Sequence, residues 1–243
     1  KLLKSQVKFI LYMREGILYL KIFKEIMDNL INLGWNEFFN KQYLKTKKDG
    51  DIPGRIINRQ KGSYTVISEQ GVKRAKLSGK FSYIKSKDSD YPVVGDWVII
   101  SNIGNKDEVI IRFLIPRQNI FARKIKKGVV QGGTTDRDII ATNIDTVFIV
   151  AGLDNNYAVR RIERYLTLIY KNGLNPVIIL NKCDLCSNIS EILDEISTVA
   201  FSVPIFTISA TDNISMDIFD SYMKPGKTIV FLGSWGVGKS TII

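Results

Sequence analysis

The sequence predicts two joined folds: an N-terminal OB-fold β-barrel, then an α/β domain that carries a phosphate-binding loop. Three observations predict this. Between Asp51 and Ile115 the chain runs in short β-branched stretches bounded by turn residues. From Ile139 onward, near-continuous apolar runs alternate with amphipathic ones, the pattern of a parallel sheet covered by helices. The closing stretch "FLGSWGVGKSTII" contains G-x-x-x-x-G-K-S, a loop whose backbone N–H groups can close around phosphate oxygens.

The elements follow in order. Residues 1–46 are expected to be a helical segment, because Ile17, Leu20, Phe23 and Met27 recur at three- and four-residue steps. The chain does not begin with methionine, whereas Met27 opens "MDNLINLGWNEFFNKQYL", which reads as a natural start. Residues 1–26 are therefore expected to be an upstream extension. "KTKKDGDIPG" marks a boundary by its charge, glycine and proline.

Residues 47–116 hold five candidate strands: "GRIINRQ", "SYTVISE", "VKRAKLS", "DWVIISN" and "EVIIRFLI". Five is the number an OB-fold uses. Such barrels bind nucleic acid through basic grooves with aromatic platforms. Lys73, Arg74, Lys76 and Lys80, beside Phe81 and Tyr83, are the RNA-binding candidates. The competing reading is that the aromatics are core and the lysines solvated. Residues 117–138, with "ARKIKKGVVQGGTTDRD", are expected to be a basic, Gly-rich, mobile linker.

In residues 139–243 the strand candidates are "DTVFIVAG", "NPVIILNK", "VPIFTISA" and "KTIVFLG". Between them lie helical stretches, "YAVRRIERYLTLIYKNG", "NISEILDEISTVA" and "ISMDIFDSYM". "KSTII" reads as the first turn of a further helix.

Charge separates the two parts. Residues 1–127 carry 26 basic and 12 acidic side chains, net +14, and the remainder is net −3, within a total of +11. That asymmetry points to a polyanion-binding part joined to a different working part, with a lysine-rich solvated surface as the alternative. The longest apolar run near the start, "VKFILYM", is broken by Arg14 and Glu15 and falls short of a membrane span. The two cysteines, Cys183 and Cys186, exclude a disulfide framework. With no histidine in the chain, that pair cannot complete a four-ligand zinc site.

Two motifs carry the chemistry. In the phosphate loop, Gly233 and Gly238 permit a tight path, Lys239 would reach the terminal phosphates, and Ser240 would ligate Mg²⁺. The second motif, "NKCD", follows a strand at Asn181, Lys182 and Asp184. A carboxylate such as Asp184 can accept from both N1–H and N2–H₂ of guanine, and adenine lacks that paired donor edge. Lys182 would lay its stem over the base and Asn181 would brace the loop. Backbone N–H groups near Ser209 and Ala210, in "TISA", are placed to face guanine O6. The order is unusual, since Asp184 precedes Gly233 by 49 residues. Both motifs still fall at carboxyl ends of strands in one sheet, where open α/β folds bind ligands, so one site can assemble.

With these motifs the sequence resembles the circularly permuted GTPases required for small ribosomal subunit maturation, the RsgA or YjeQ family. "LGWNEFF", "VVGDWVII", "IPRQNIFAR", "ATNIDTVFIVAGLD", "RRIERYL", "PVIILNKCDL" and "GSWGVGKST" carry the resemblance, from about Asn32 to Ile243. The resemblance implies an N-terminal OB-fold, a permuted GTPase domain over 139–243 and a C-terminal zinc module. It implies GTP hydrolysis stimulated by the small subunit, a role in late assembly and rRNA contact through the basic barrel; a cytoplasmic location, which the cysteine usage fits, no membrane partner and a monomer are expected beside it. GTP or GDP would be held by Asn181, Lys182, Asp184, Ser209, Ala210, Gly233, Ser234, Trp235, Gly236, Val237, Gly238, Lys239, Ser240 and Thr241, with Mg²⁺ on Ser240. The chain is expected to be a fragment that stops before the switch regions and the zinc module, so no catalytic residue is assigned. Trp235 departs from the family, which usually has a small residue there. Two rivals stand beside this reading: a P-loop kinase or ATPase with an RNA-binding barrel, and a non-catalytic RNA-binding fragment.

Overall fold

The computed structural model describes residues 9–14, 17–22, 30–60, 62–79, 81, 90–102, 108–124, 137–154 and 157–243, with side chains from residue 30 onward. The segment expected to be helical over 1–46 differs in its first part. Phe9–Arg14 (β1) and Ile17–Ile22 (β2) are strands, paired antiparallel from Phe9↔Ile22 to Arg14↔Ile17. Short apolar runs satisfy either period, and a pairing partner decides between them. Helix appears later, as a 3₁₀ turn at Leu30–Leu33 and an α-helix at Glu37–Thr46 (α1). The Asn36 side chain starts α1 by accepting from the Phe39 N–H at 3.3 Å.

The five expected barrel strands are Asp51–Gln60 (β3), Ser63–Ser68 (β4), Gly71–Leu77 (β5), Trp97–Asn102 (β6) and Glu108–Leu114 (β7). They close in the order β3-β4-β5-β7-β6. The β5–β7 pair is parallel, and the β3–β6 pair seals the barrel. This is the OB arrangement, and closure leaves no unpaired sheet edge. Ile56, Tyr64, Val66, Ala75, Val98, Ile100, Val109 and Ile111 fill the interior. Phe81, expected as a platform for bases, is 6% exposed and packs with this core. Tyr83 and Lys80 lie outside the described residues.

The expected linker is partly structured. Ile120–Lys124 (β8) pairs antiparallel with Arg137–Thr142 (β9), and residues 125–136 lie outside the described set. Ile139–Thr142 thus belongs to this ribbon and not to the parallel sheet. A buried polar cluster holds the ribbon to the end of the barrel. Asp96 accepts from Arg117 Nε at 2.8 Å and Nη2 at 2.7 Å, from Thr142 Oγ1 at 2.7 Å and from the Val93 N–H at 2.8 Å. Arg55, 2% exposed, donates to the carbonyls of Leu33, Gly95 and Asn143.

The chain divides into two compact units, with the barrel and ribbon in the first and residues 8–22 with Ile144–Ile243 in the second. The second unit contains Thr146–Gly152 (β10), Val159–Lys171 (α2), Pro176–Asn181 (β11), Ile189–Ser197 (α3), Ile205–Thr207 (β12), Thr228–Leu232 (β13) and Lys239–Ile242 (α4). Its sheet runs β12-β11-β10-β13-β1-β2. All neighbours are parallel except β1 and β2. Parallel strands covered on both faces need continuous apolar sequence, and all of Thr228–Leu232 is buried. Phe148, Val150, Ile179, Ile208, Phe219 and Phe231 form the core beneath the site. "ISMDIFDSYM", expected to be helical, forms a 3₁₀ turn at Met216–Ser221. Among the described residues, no helix is long and apolar enough to cross a membrane.

Candidate functional site

The register of the parallel strands brings the two motifs together. Gly152 pairs with Asn181, and Ile149 pairs with Leu232, so β10, β11 and β13 end side by side. "NKCD" leaves the end of β11, and the phosphate loop leaves the end of β13, with β10 between them. Two glycines make the approach possible. A Cβ on Gly233 would overlap the Val150 carbonyl oxygen. Gly238 has φ +91°, and a Cβ there would land on the Asn181 amide nitrogen.

Asn181 is the tie between segments. It is 2% exposed. Its Nδ2 donates to the Val237 carbonyl at 2.9 Å, and its Oδ1 accepts from the Ala210 N–H at 3.0 Å. One buried amide therefore joins "NKCD", the phosphate loop and "TISA", donating one hydrogen bond and accepting the other. The N–H groups of Ser209 and Ala210 are the ones expected to face guanine O6. Both are engaged inside the protein, Ser209 with the Ile214 carbonyl at 3.3 Å and Ala210 with Asn181. These bonds hold the loop. Ser209 Oγ also accepts from the Asp212 N–H.

Lys182 has φ +67°, and its ammonium sits 2.5 Å from Asp154 Oδ2. Asp184 lies in the 3₁₀ turn Cys183–Leu185 with its side chain exposed. The Cys183 N–H donates to the Ile208 carbonyl, which pins that turn to the strand end. Burial, and then the Asp184 charge, push the Cys183 thiol above its ordinary pKa, so it is held as a neutral thiol.

In the phosphate loop Lys239 is 7% exposed, and its ammonium donates to the carbonyls of Gly233 at 2.9 Å and Ser234 at 2.5 Å. Burial lowers its pKa, because desolvation penalises the charged form. Val237 is buried, while Gly236, Ser240 and Thr241 are exposed at the loop mouth. Trp235 is 64% exposed on the same loop.

Lys73 Nζ donates to Gln70 Oε1 at 3.0 Å and Asn102 Oδ1 at 3.3 Å, and Lys76 pairs with Glu108 at 3.3 Å. Arg74 is exposed. Sequence reasoning did not single out Asp154 or the Asp96–Arg117–Thr142 cluster. The available signal for Asp154 was a carboxylate two residues beyond the end of an apolar strand that borders the site.

Comparison with known proteins places this geometry. The RsgA GTPase family model matches residues 114–243, more than half of the chain. Small ribosomal subunit biogenesis GTPase RsgA 2 of Lactiplantibacillus plantarum is 40% identical over 198 residues, covering 82% of this chain and 54% of that protein. Small ribosomal subunit biogenesis GTPase RsgA of Leptospira interrogans is 40% identical over 217 residues, covering 88% and 57%. The chain thus spans little more than half the length of these relatives. Among solved structures, YjeQ from Thermotoga maritima superposes with a TM-score of 0.61 at 24% identity, covering 79% of this chain and 63% of that one. YloQ, described as a circularly permuted GTPase, gives 0.56 at 23% identity, covering 81% and 65%. These structures share the fold of this chain. On the match over residues 114–243, this chain belongs to the RsgA GTPase family.

Proposed function

We propose that the second unit binds guanine nucleotide at the carboxyl ends of β10, β11 and β13, as the nucleotide-reading part of a GTPase that acts in small ribosomal subunit maturation. The observation that carries this reading is the Asn181 amide, which ties "NKCD" to the phosphate loop through Val237 and to "TISA" through Ala210. On this reading Asp184 and Lys182 serve the base end of the cradle and Lys239 the phosphate end. Asp184 would accept from guanine N1–H and N2–H₂. Lys239 would exchange its two loop carbonyls for phosphate oxygens.

Mg²⁺ suits this arrangement to a limited extent. Magnesium is bound through one or two protein oxygens plus phosphates and waters, and the exposed Ser240 can supply one hydroxyl. Among the described residues, no group of three acidic, cysteine or histidine side chains gathers to hold a metal. The ion would neutralise phosphate charge, with Ser240 as its ligand from this chain. The relatives are named for small ribosomal subunit biogenesis. By that likeness the whole protein hydrolyses GTP on the small subunit, with the OB barrel as its rRNA contact through Arg74 and its neighbours. Phosphate contacts of that kind weaken with salt.

Competition binding tests the reading. GDP should displace a fluorescent GDP analogue at least about 100-fold better than ADP, as a site built on base hydrogen bonds discriminates. Asp184→Asn should move the preference toward xanthine nucleotides. Equal displacement by ADP would favour the kinase or ATPase alternative instead.

A further inference from the structure

We infer that Asp154 is the positioning residue for Lys182, holding the lysine stem as a preformed wall for the flat face of the base. The inference rests on the guanine-nucleotide reading above and names a residue that the two motifs do not contain.

The geometry is local and specific. Leu153 N–H donates to the Asn181 carbonyl at 2.8 Å, so the end of β10 is laced to the end of β11. The next residue, Asp154, folds back over Gly152. A Cβ on Gly152 would stand 2.8 Å from Asp154 Oδ1, so glycine makes room for the carboxylate. From there Asp154 Oδ2 meets the Lys182 ammonium at 2.5 Å. Both side chains are 27% exposed, so the pair lies at the rim of the site and not in the core.

A lysine has four rotatable side-chain bonds and loses substantial freedom when it is ordered. Anchoring the ammonium at the far end fixes the apolar stem before any ligand arrives. The ordering cost is then met during folding and not during binding. The Lys182 backbone is already set by its left-handed turn, φ +67°. Asp154 fixes the other end.

Four variants of the full chain test this: Asp154→Asn, Asp154→Glu, Lys182→Ala and the Asp154→Asn/Lys182→Ala double. GDP affinity is titrated for each, with pyrophosphate competition as a probe of the phosphate loop alone. Asp154→Asn should weaken GDP roughly fivefold, the scale of a partly exposed ion pair. Asp154→Glu should recover most of that loss. In the Lys182→Ala background the Asp154 change should add nothing, and pyrophosphate should compete equally well throughout. Unchanged GDP affinity in Asp154→Asn, a full additional loss in the double variant, or a parallel loss of pyrophosphate binding would each overturn the inference. A wild-type chain that binds ADP as well as GDP would instead overturn the guanine reading, and this inference with it.

Discussion

In the barrel unit, Asp96 is fully buried and its carboxylate is closed by the Arg117 guanidinium, the Thr142 hydroxyl and the Val93 N–H. In the proposed nucleotide unit, Lys239 is also buried, yet its ammonium rests on two loop carbonyls, those of Gly233 and Ser234. Both units place a charge out of water. In the first, an opposite charge and good hydrogen bonds compensate the desolvation. In the second, neutral carbonyls compensate it in part, and the lowered Lys239 pKa records the remainder. A charge closed by its counter-charge holds structure together. On the proposed nucleotide reading, a charge parked on carbonyls is held ready for an anion.

The comparison can be broken most strongly at Arg117. Arg117→Ala leaves the Asp96 carboxylate buried without its guanidinium and should cost about 3–5 kcal/mol of barrel-unit stability. Trp35 and Trp97 lie in that unit with ring centroids 4.7 Å apart, so their fluorescence follows its unfolding in urea. GDP affinity should stay within about twofold, since Arg117 and Asp96 belong to the other compact unit. A matching fall in GDP affinity would mean the two roles are not separate.

Asn181→Ala is the counterpart in the nucleotide unit, with a smaller expected effect. It leaves the Val237 carbonyl and the Ala210 N–H without their shared partner and should cost about 1–3 kcal/mol. Here GDP affinity should fall by roughly tenfold or more, because the two motifs lose their tie. Stability lost without any loss of GDP binding would assign Asn181 to packing alone.

The smallest effect is a pH dependence. The Lys239 pKa in the folded chain lies below the ordinary 10.5. Between those two values the unfolded chain binds more protons than the folded one, so this residue makes the ligand-free chain more stable as pH rises. The penalty is fully present below the folded pKa and fades toward 10.5. Lys239→Met removes it. The gap in melting temperature between Lys239→Met and the parent should therefore narrow as pH is raised through this window. A gap that does not change with pH would show that Lys239 carries no desolvation penalty.

How much of this was legible before the structure differs by region. Barrel strands such as "SYTVISE" and "DWVIISN" were visible because short β-branched runs and the turn residues that bound them are local signals. The phosphate loop and "NKCD" were visible because their chemistry demands particular residue types at fixed spacing. The first strands were not. "FILYMR" and "ILYLKI" carry no period that separates helix from strand, and their state follows from pairing with each other and with β13. Phe81 could equally have been platform or core, and only its neighbours in the barrel decided.

The sequence by itself determined the fold class, the unusual order of the motifs and the identity of the groups that can meet phosphate and base. These depend on residue type and short-range spacing. The tertiary structure decided which groups are already engaged: Ala210 and Ser209 N–H inside the loop, Asp154 on Lys182, Lys76 on Glu108, Arg117 on Asp96. Those partners lie 5 to 32 residues apart in the chain. Hydrogen bonds and ion pairs act over about 3 Å of space, and only the folded chain sets that distance.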